Sequence, residues 1–297
     1  MKKIKNNILE IDIIDGCNAK CVCCPRGLGL LGNSMTKMDY ELYKKVIDKA
    51  HNIGINEIVL FSWSEPFLHP QLFDFCKYAK QYHMKVDLST NLSLKNIDFE
   101  NILPYVDSLI ISVSGFYQST YEINHKNCNV DLVKENILKI GNVNIPTYIQ
   151  LRYFVYDYNQ EEIQLWKDFL PKNIHFWKCE GNDNPLQSIE AMKQNQLPEE
   201  YFGKIEYGKN EYRDNIRMDY CDLTRMITLD WKADEYLCCE KIYDKSIKIG
   251  NFLKDDIYEM QKKKLMHKEC DICHRKKSYL SFLSKSDFNR IKEKTFL

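Results

Sequence analysis

The residues best suited to chemistry are concentrated in Cys17-Asn-Ala-Lys-Cys21-Val-Cys23-Cys24-Pro25-Arg26. The spacing Cys17-x3-Cys21-x2-Cys24 lets one loop present three thiolates to a soft metal centre. Three ligands on a cube-shaped [4Fe-4S] cluster leave one iron open, and that iron can bind substrate or cofactor directly. The plain alternative is a zinc loop, but a closed zinc site wants four ligands and this loop offers no His. A second set comprises Cys221, Cys238-Cys239 and Cys270-x2-Cys273. Two close thiols and two distant ones can enclose a four-ligand cluster for electron transfer or structure, and the same thiolates suit a structural zinc ion. Arg152 stands among apolar residues, next to Leu151 and close to Phe154, where a guanidinium needs an anion or a hydrogen-bonded partner. Cys76 lies on an apolar helical stripe and reads as a small buried hydrophobe, while His125 and His175 carry no specific signal.

The elements that position these residues read as repeated βα units over residues 1–180. Strands are predicted at 9–14, 57–61, 85–88, 108–113, 147–154 and 173–177. Thr36 and Asp39 have capping-box spacing before a helix whose Leu42, Val46, Ile47, Ala50 and Ile53 share a face and which Gly54 stops. His69-Pro70 opens the next helix, with Leu72, Phe75, Cys76 and Ala79 on one stripe. The order implies an α/β fold, a parallel sheet curled into a partial (β/α)6 TIM-type barrel with its chemistry at the C-terminal strand ends. Cys179 follows the sixth strand, at that mouth. Residues 181–220 are polar, rich in Asn and Gln, and read as a linker or insertion. Residues 221–297 form a small second unit with a hairpin from 226–229 and 235–238 and a helix near 255–264, in which Lys262 to Lys264 reads as a solvated helix end.

Composition narrows the class. The 297 residues carry 42 Lys+Arg against 42 Asp+Glu, so no long-range field draws nucleic acid or anionic lipid. With 44% hydrophobic residues the chain can bury a sizeable core. Glu10 and Asp12 interrupt the first apolar stretch, which is therefore not a signal sequence, and no run of about eighteen apolar residues is present. The expected setting is cytoplasmic, where thiols stay reduced, and twelve Cys then point to metal or redox chemistry rather than disulfides.

At this point the chain resembles the radical S-adenosylmethionine (SAM) superfamily, through Cys17-x3-Cys21-x2-Cys24 after a first strand. Ser62-Trp63-Ser64-Glu65-Pro66 after the second strand is similar to the family's Gly-Gly-Glu-Pro segment, with Ser62, Trp63 and Ser64 in place of small residues. Ser89-Thr90-Asn91 resembles the Thr-Asn-Gly segment after the third strand, and Ser112 and Ser114 the Ser-rich end of the fourth. The resemblance implies that Cys17, Cys21 and Cys24 hold a [4Fe-4S] cluster, Cys24 being preferred to Cys23 because it keeps the family spacing. Ser62, Ser64, Glu65, Asn91, Ser112 and Ser114 would help bind SAM, and Arg152 would hold the SAM carboxylate or a substrate group. The C-terminal region resembles a twitch or SPASM domain, which implies a second, auxiliary [4Fe-4S] cluster on Cys221, Cys238, Cys270 and Cys273.

The implied activity is reductive cleavage of SAM to a 5′-deoxyadenosyl radical that abstracts a hydrogen atom. The electron comes from a donor such as flavodoxin or ferredoxin. Cys179 could then return a hydrogen atom to a substrate radical, and the plain alternative is a thiol packed at a strand end. With the first strand at residue 8, the layout favours a small polyhydroxylated substrate, that is a sugar or aminocyclitol dehydrogenase or epimerase. The alternatives are a ribosomal-peptide maturase, such as a peptide epimerase or cross-linking enzyme, and a noncatalytic zinc-binding module. No nucleic-acid or membrane partner is expected.

Overall fold

In the computed structural model the described residues are 8–22, 24–27, 29–180, 226–239, 247–265 and 267. The six expected strands form as β1 (Ile8–Ile11), β2 (Glu57–Val59), β3 (Lys85–Thr90), β4 (Ser108–Val113), β5 (Tyr148–Val155) and β6 (Ile174–Glu180). All five neighbouring pairs are parallel. Side chains alternate between the two faces of a strand. Leu109, Ile111 and Val113 of β4 and Ile149, Leu151 and Tyr153 of β5 are therefore buried in the shared core, which leaves Ser112 and Arg152 on the opposite face.

Helix α1 (Tyr40–Asn52) starts at Asp39, whose Oδ1 accepts from the N–H groups of Glu41 (2.9 Å) and Leu42 (3.1 Å). The expected capping box is thus a single Asp cap, and Thr36 accepts instead from the Ser34 hydroxyl. The buried stripe is Tyr43, Val46, Ile47 and Ala50, with Leu42 at its margin. It meets α2 (Leu72–Gln81), where the Tyr43 and Phe75 rings stack with centroids 4.1 Å apart. α2 begins later than His69-Pro70 because Pro66–Leu68 form a 3-10 turn and buried His69 faces the Met38 carbonyl (3.0 Å). The later crossovers carry α3 (Phe99–Ile102), α4 (Gln118–Asn124), α5 (Val130–Gly141) and α6 (Ile163–Phe169).

The C-terminal hairpin also forms, from β7 (Met226–Leu229) and β8 (Asp234–Tyr236), followed by β9 (Lys248–Asn251) and α7 (Ile257–Leu265). β7 pairs in parallel with β1, so the nine strands make one sheet in the order β6-β5-β4-β3-β2-β1-β7-β8-β9, with β6 and β9 at its edges. The architecture is a parallel-dominated, unclosed α/β sheet. The hairpin has no glycine; Ala233 takes a positive φ of 61°, and Asp230 Oδ1 accepts from the N–H groups of Lys232 (2.8 Å) and Asp234 (3.0 Å) to hold the turn. Lys264 is not a solvated helix end. It is 2% exposed, donates to the Met226 carbonyl (2.6 Å) and faces the buried Glu235 carboxyl at 3.7 Å. A cation on the inner stripe of α7 is retained there because the Glu235 carboxyl is buried with it.

Residues 181–220, Cys23, Cys221, Cys270 and Cys273 lie outside the described residues. Among the described residues no helix is long and apolar enough to cross a membrane.

Candidate functional site

The ends of β1, β2 and β3 converge on a buried polar network. Asp12, just past β1 and 2% exposed, accepts from the N–H groups of Ser62 (3.0 Å) and Trp63 (3.2 Å) and from the Ser64 hydroxyl. These contacts pin the Ser-Trp-Ser segment to β1 by its backbone. Burial pushes the Asp12 carboxyl up, against the opposing effects of the Ser64 hydroxyl and the Arg26 guanidinium. Glu65 is equally buried. Its Oε1 accepts from the Thr90 hydroxyl (2.8 Å) and the Phe67 N–H (3.2 Å), and its Oε2 accepts from the Asn91 N–H (2.8 Å). The Glu65 N–H in turn donates to the Gly16 carbonyl (3.0 Å), so one residue ties β2, β3 and the approach to Cys17 together.

Asn91 carries that order to the cysteine loop. Its Nδ2 donates to Asn18 Oδ1 (2.9 Å) and to Cys17 Sγ (3.7 Å), and the Ala19 N–H also points at that sulfur (3.4 Å). Cys24 donates its N–H to the Cys21 carbonyl (3.1 Å), while the N–H groups of Gly27 and Arg26 are directed at the Cys24 sulfur. Gly27 packs directly on the Cys21 backbone, where a Cβ has no room. The loop is strapped to the segment after α4 by Lys20 N–H to Lys126 O (2.8 Å) and Val22 N–H to Asn124 O (3.0 Å).

Arg26, 7% exposed, crosses between the parts. Its Nε donates to the Trp63 carbonyl (2.6 Å) and its Nη1 to Asp15 Oδ1 (2.8 Å) and to the Gly32 carbonyl. Asp15 is held below the usual carboxylate range by the Arg26 and Ser34 hydrogen bonds, which outweigh its burial. Arg26→Lys keeps the charge but loses the planar fork that reaches Trp63. It is expected to cost about 1–2 kcal/mol of stability, read by thermal unfolding, and to weaken SAM binding.

The donor set fits an iron-sulfur cluster. Asn91 Nδ2 reaches the Cys17 sulfur (3.7 Å) and the Cys24 N–H bonds the Cys21 carbonyl (3.1 Å), so one loop beyond β1 carries all three thiols. Burial pushes the Cys17 and Cys24 thiols up, and a coordinated metal is what deprotonates a thiol in such surroundings. No three His, Cys, Asp or Glu side chains among the described residues converge on a point that would hold a single metal ion. A cubane spreads its ligands more widely than one ion does. Of the auxiliary set, Cys238 and Cys239 are half-buried beyond β8, and the Cys239 carbonyl accepts from Trp63 Nε1 (2.7 Å).

On the sheet face away from the core, Ser112, Arg152 and Trp177 stand in register across β4, β5 and β6. The Arg152 guanidinium lies 5.0 Å from the centre of the Trp177 ring, which is 43% exposed. Phe154 and Cys179 form the next row on the same face. Ser114 is not brought into this group. It is fully buried, with its Oγ 2.6 Å from His125 Nδ1, and burial holds that imidazole neutral, its pKa lowered to about 4.

The family model of the radical SAM superfamily matches residues 11–170, just over half of the chain, so the protein belongs to that superfamily. Its members are enzymes, and membership implies a [4Fe-4S] cluster and SAM. An AdoMet-dependent heme synthase from Methanosarcina barkeri is 26% identical over 117 residues, which are 39% of this chain and 33% of that protein. The match therefore spans about a third of that relative's length. Streptococcus suis SuiB bound to S-adenosylmethionine shares the fold at a TM-score of 0.60 and 13% identity, over 91% of this chain and 71% of SuiB. BtrN in complex with AdoMet and 2-DOIA does so at 0.52 and 12%, over 86% and 81%, and anSMEcpe with bound AdoMet at 0.52 and 15%, over 97% and 99%.

Proposed function

We propose that this protein uses SAM to abstract a hydrogen atom from a small polyhydroxylated substrate, as a dehydrogenase or epimerase. The observation that carries the substrate class is the in-register row of Ser112, Arg152 and Trp177. A partly exposed indole packs against the C–H face of a ring, while the guanidinium and hydroxyl beside it hydrogen-bond ring hydroxyls. BtrN, whose structure holds AdoMet and 2-DOIA, offers a related fold with a small molecule bound.

When bound, the cluster and SAM would supply the chemistry, reductive cleavage of SAM to a radical able to remove a substrate hydrogen. The chain's residues do the rest. Cys17, Cys21 and Cys24 would hold the cluster. Asp12 and Arg26 fix the backbone of Ser62 to Ser64 where the SAM methionine group would bind, and Glu65 fixes Asn91. Arg152 and Trp177 orient the substrate, and Cys179, one row further along the same face, would supply a hydrogen atom in an epimerisation, the thiyl radical left behind taking one electron from the donor and a proton to return to the thiol. Cys238, with Cys221, Cys270 and Cys273, would hold an auxiliary cluster that accepts the electron left by a dehydrogenation.

The test is release of 5′-deoxyadenosine under anaerobic reduction, with sugars and aminocyclitols set against peptides. A cyclitol or sugar is expected to stimulate release, and Arg152→Met to raise the KM for that substrate about 10- to 100-fold, because a charge-assisted hydrogen bond contributes about 1.5–3 kcal/mol. Stimulation by a peptide alone would overturn this in favour of peptide maturation. That second reading draws on SuiB, which is also solved bound to its precursor peptide SuiA, at a TM-score of 0.60 over 91% of this chain.

A further inference from the structure

Each polar group of Trp63, in the segment after β2, is committed to a different part of the fold. Its N–H donates to Asp12 Oδ1 (3.2 Å) just past β1, its carbonyl accepts from Arg26 Nε (2.6 Å) beside the cysteine loop, and its indole Nε1 donates to the Cys239 carbonyl (2.7 Å). With the backbone held on both sides of its Cα, a shift of the indole is passed to the Ser-Trp-Ser segment that carries it.

The indole contact ends on the main chain of the Cys238-Cys239 pair, which follows β8. The hairpin that carries this pair is joined to the same place a second time, because the Asp12 N–H donates to the Leu229 carbonyl (2.9 Å) at the end of β7. Asp12 thus holds β7 through its backbone, and Ser62, Trp63 and Ser64 through its carboxylate. The β7–β8 hairpin and the Ser-Trp-Ser segment are clamped at two points, one through Asp12 and one through the indole. An indole N–H can only donate, and a small residue at position 63 would keep the first clamp and lose the second.

We propose that Trp63 couples SAM binding to the state of the Cys238-Cys239 pair: metal held at that pair fixes the Cys239 carbonyl, and the indole N–H on that carbonyl fixes the Ser-Trp-Ser segment for SAM. This rests on the reading of that segment as the site of the SAM methionine group and of the C-terminal thiols as a metal site. Trp63 is a positioning residue, acting through the backbone of its own segment. Such a coupling is reciprocal, so bound SAM in turn steadies residues 226–239.

The experiment is a double-mutant cycle on SAM affinity, by anaerobic equilibrium dialysis of reconstituted wild type, Trp63→Phe, Cys238→Ala/Cys239→Ala and the triple variant, with iron and zinc measured in each. Phe keeps an aromatic ring and removes the donor. Trp63→Phe is expected to hold as much metal as wild type and to bind SAM about 3- to 10-fold more weakly, the range of one hydrogen bond. The cysteine variant should lose the C-terminal metal and weaken SAM by a similar factor, and the triple variant should bind no more weakly than Trp63→Phe. Hydrogen exchange should show SAM protecting the amides of 226–239 in wild type and not in Trp63→Phe. Unchanged affinity in Trp63→Phe, losses that multiply in the triple variant, equal protection in both proteins, or full affinity in a cysteine variant that has lost its metal would overturn the coupling alone. A cysteine variant that loses neither metal nor affinity would overturn the reading of the C-terminal thiols with it.

Discussion

Cys24→Ala is expected to lose the SAM-binding cluster and to reduce 5′-deoxyadenosine formation by more than about 100-fold, beyond the 10- to 100-fold loss typical of outer-shell changes. The reason lies in the loop. Gly27 folds back onto the Cys21 backbone, and this brings the N–H groups of Arg26 and Gly27 to bear on the Cys24 sulfur, where they stabilise a thiolate. Two remaining thiolates hold a cubane poorly. The measurement is iron and acid-labile sulfide per chain after anaerobic reconstitution, with zinc measured alongside. Under the two-cluster proposal wild type carries about eight irons, Cys24→Ala about four, and Cys270→Ala/Cys273→Ala also about four. Only the last retains SAM cleavage. Cys23→Ala is expected to keep both clusters; loss of iron there, with retention in Cys24→Ala, would move the third ligand to Cys23. Zinc in place of the second four irons would make the C-terminal thiols structural.

Much of this arrangement is legible in the sequence because it depends on local patterns. The strand at Ser108–Val113 is predicted residue for residue, since its alternation is uninterrupted, and the cysteine spacing points to a soft-metal site. The polar network beneath it is less legible, because its partners are far apart in the chain. Asp12 shows in the sequence only as a charge that spoils an apolar run, yet it anchors a segment fifty residues on. Arg26 follows the motif directly, but its link to Trp63 requires β1 and β2 to be adjacent. The pairing of β7 with β1 is invisible for the same reason: nothing in Met226–Leu229 names its neighbour. Ser114 illustrates the converse: a hydroxyl near a strand end reads as a ligand contact, and only the fold shows that it lies 2.6 Å from His125 Nδ1.

Glu65→Gln is expected to remove a pH dependence of the fold's stability while weakening the enzyme. Burial raises the Glu65 carboxyl from 4.5 to about 7, against the hydrogen bonds from Asn91, Thr90 and Phe67. A folded-state value above the unfolded one means that between about pH 4.5 and 7 the native protein holds a proton that the unfolded chain has released. The favourable contribution of the protonated acid is therefore complete below about pH 4.5 and lost as the pH rises through 7, about 3 kcal/mol in all. Gln cannot ionise, so the variant should lack this slope, its stability in denaturant unfolding staying flat between pH 4.5 and 8 where wild type loses about 3 kcal/mol. Function should weaken. The ionised Glu65 gives the Asn91 N–H a charged acceptor, and Asn91 in turn reaches Cys17; an amide NH2 facing that N–H pushes Asn91 off its place. SAM cleavage should fall about 10- to 100-fold, as for other outer-shell partners of metal ligands. A pH slope that persists in the Gln variant would show that the three donors keep Glu65 ionised well below neutrality, and the pH dependence would then have to come from Asp12, whose buried carboxyl is also raised.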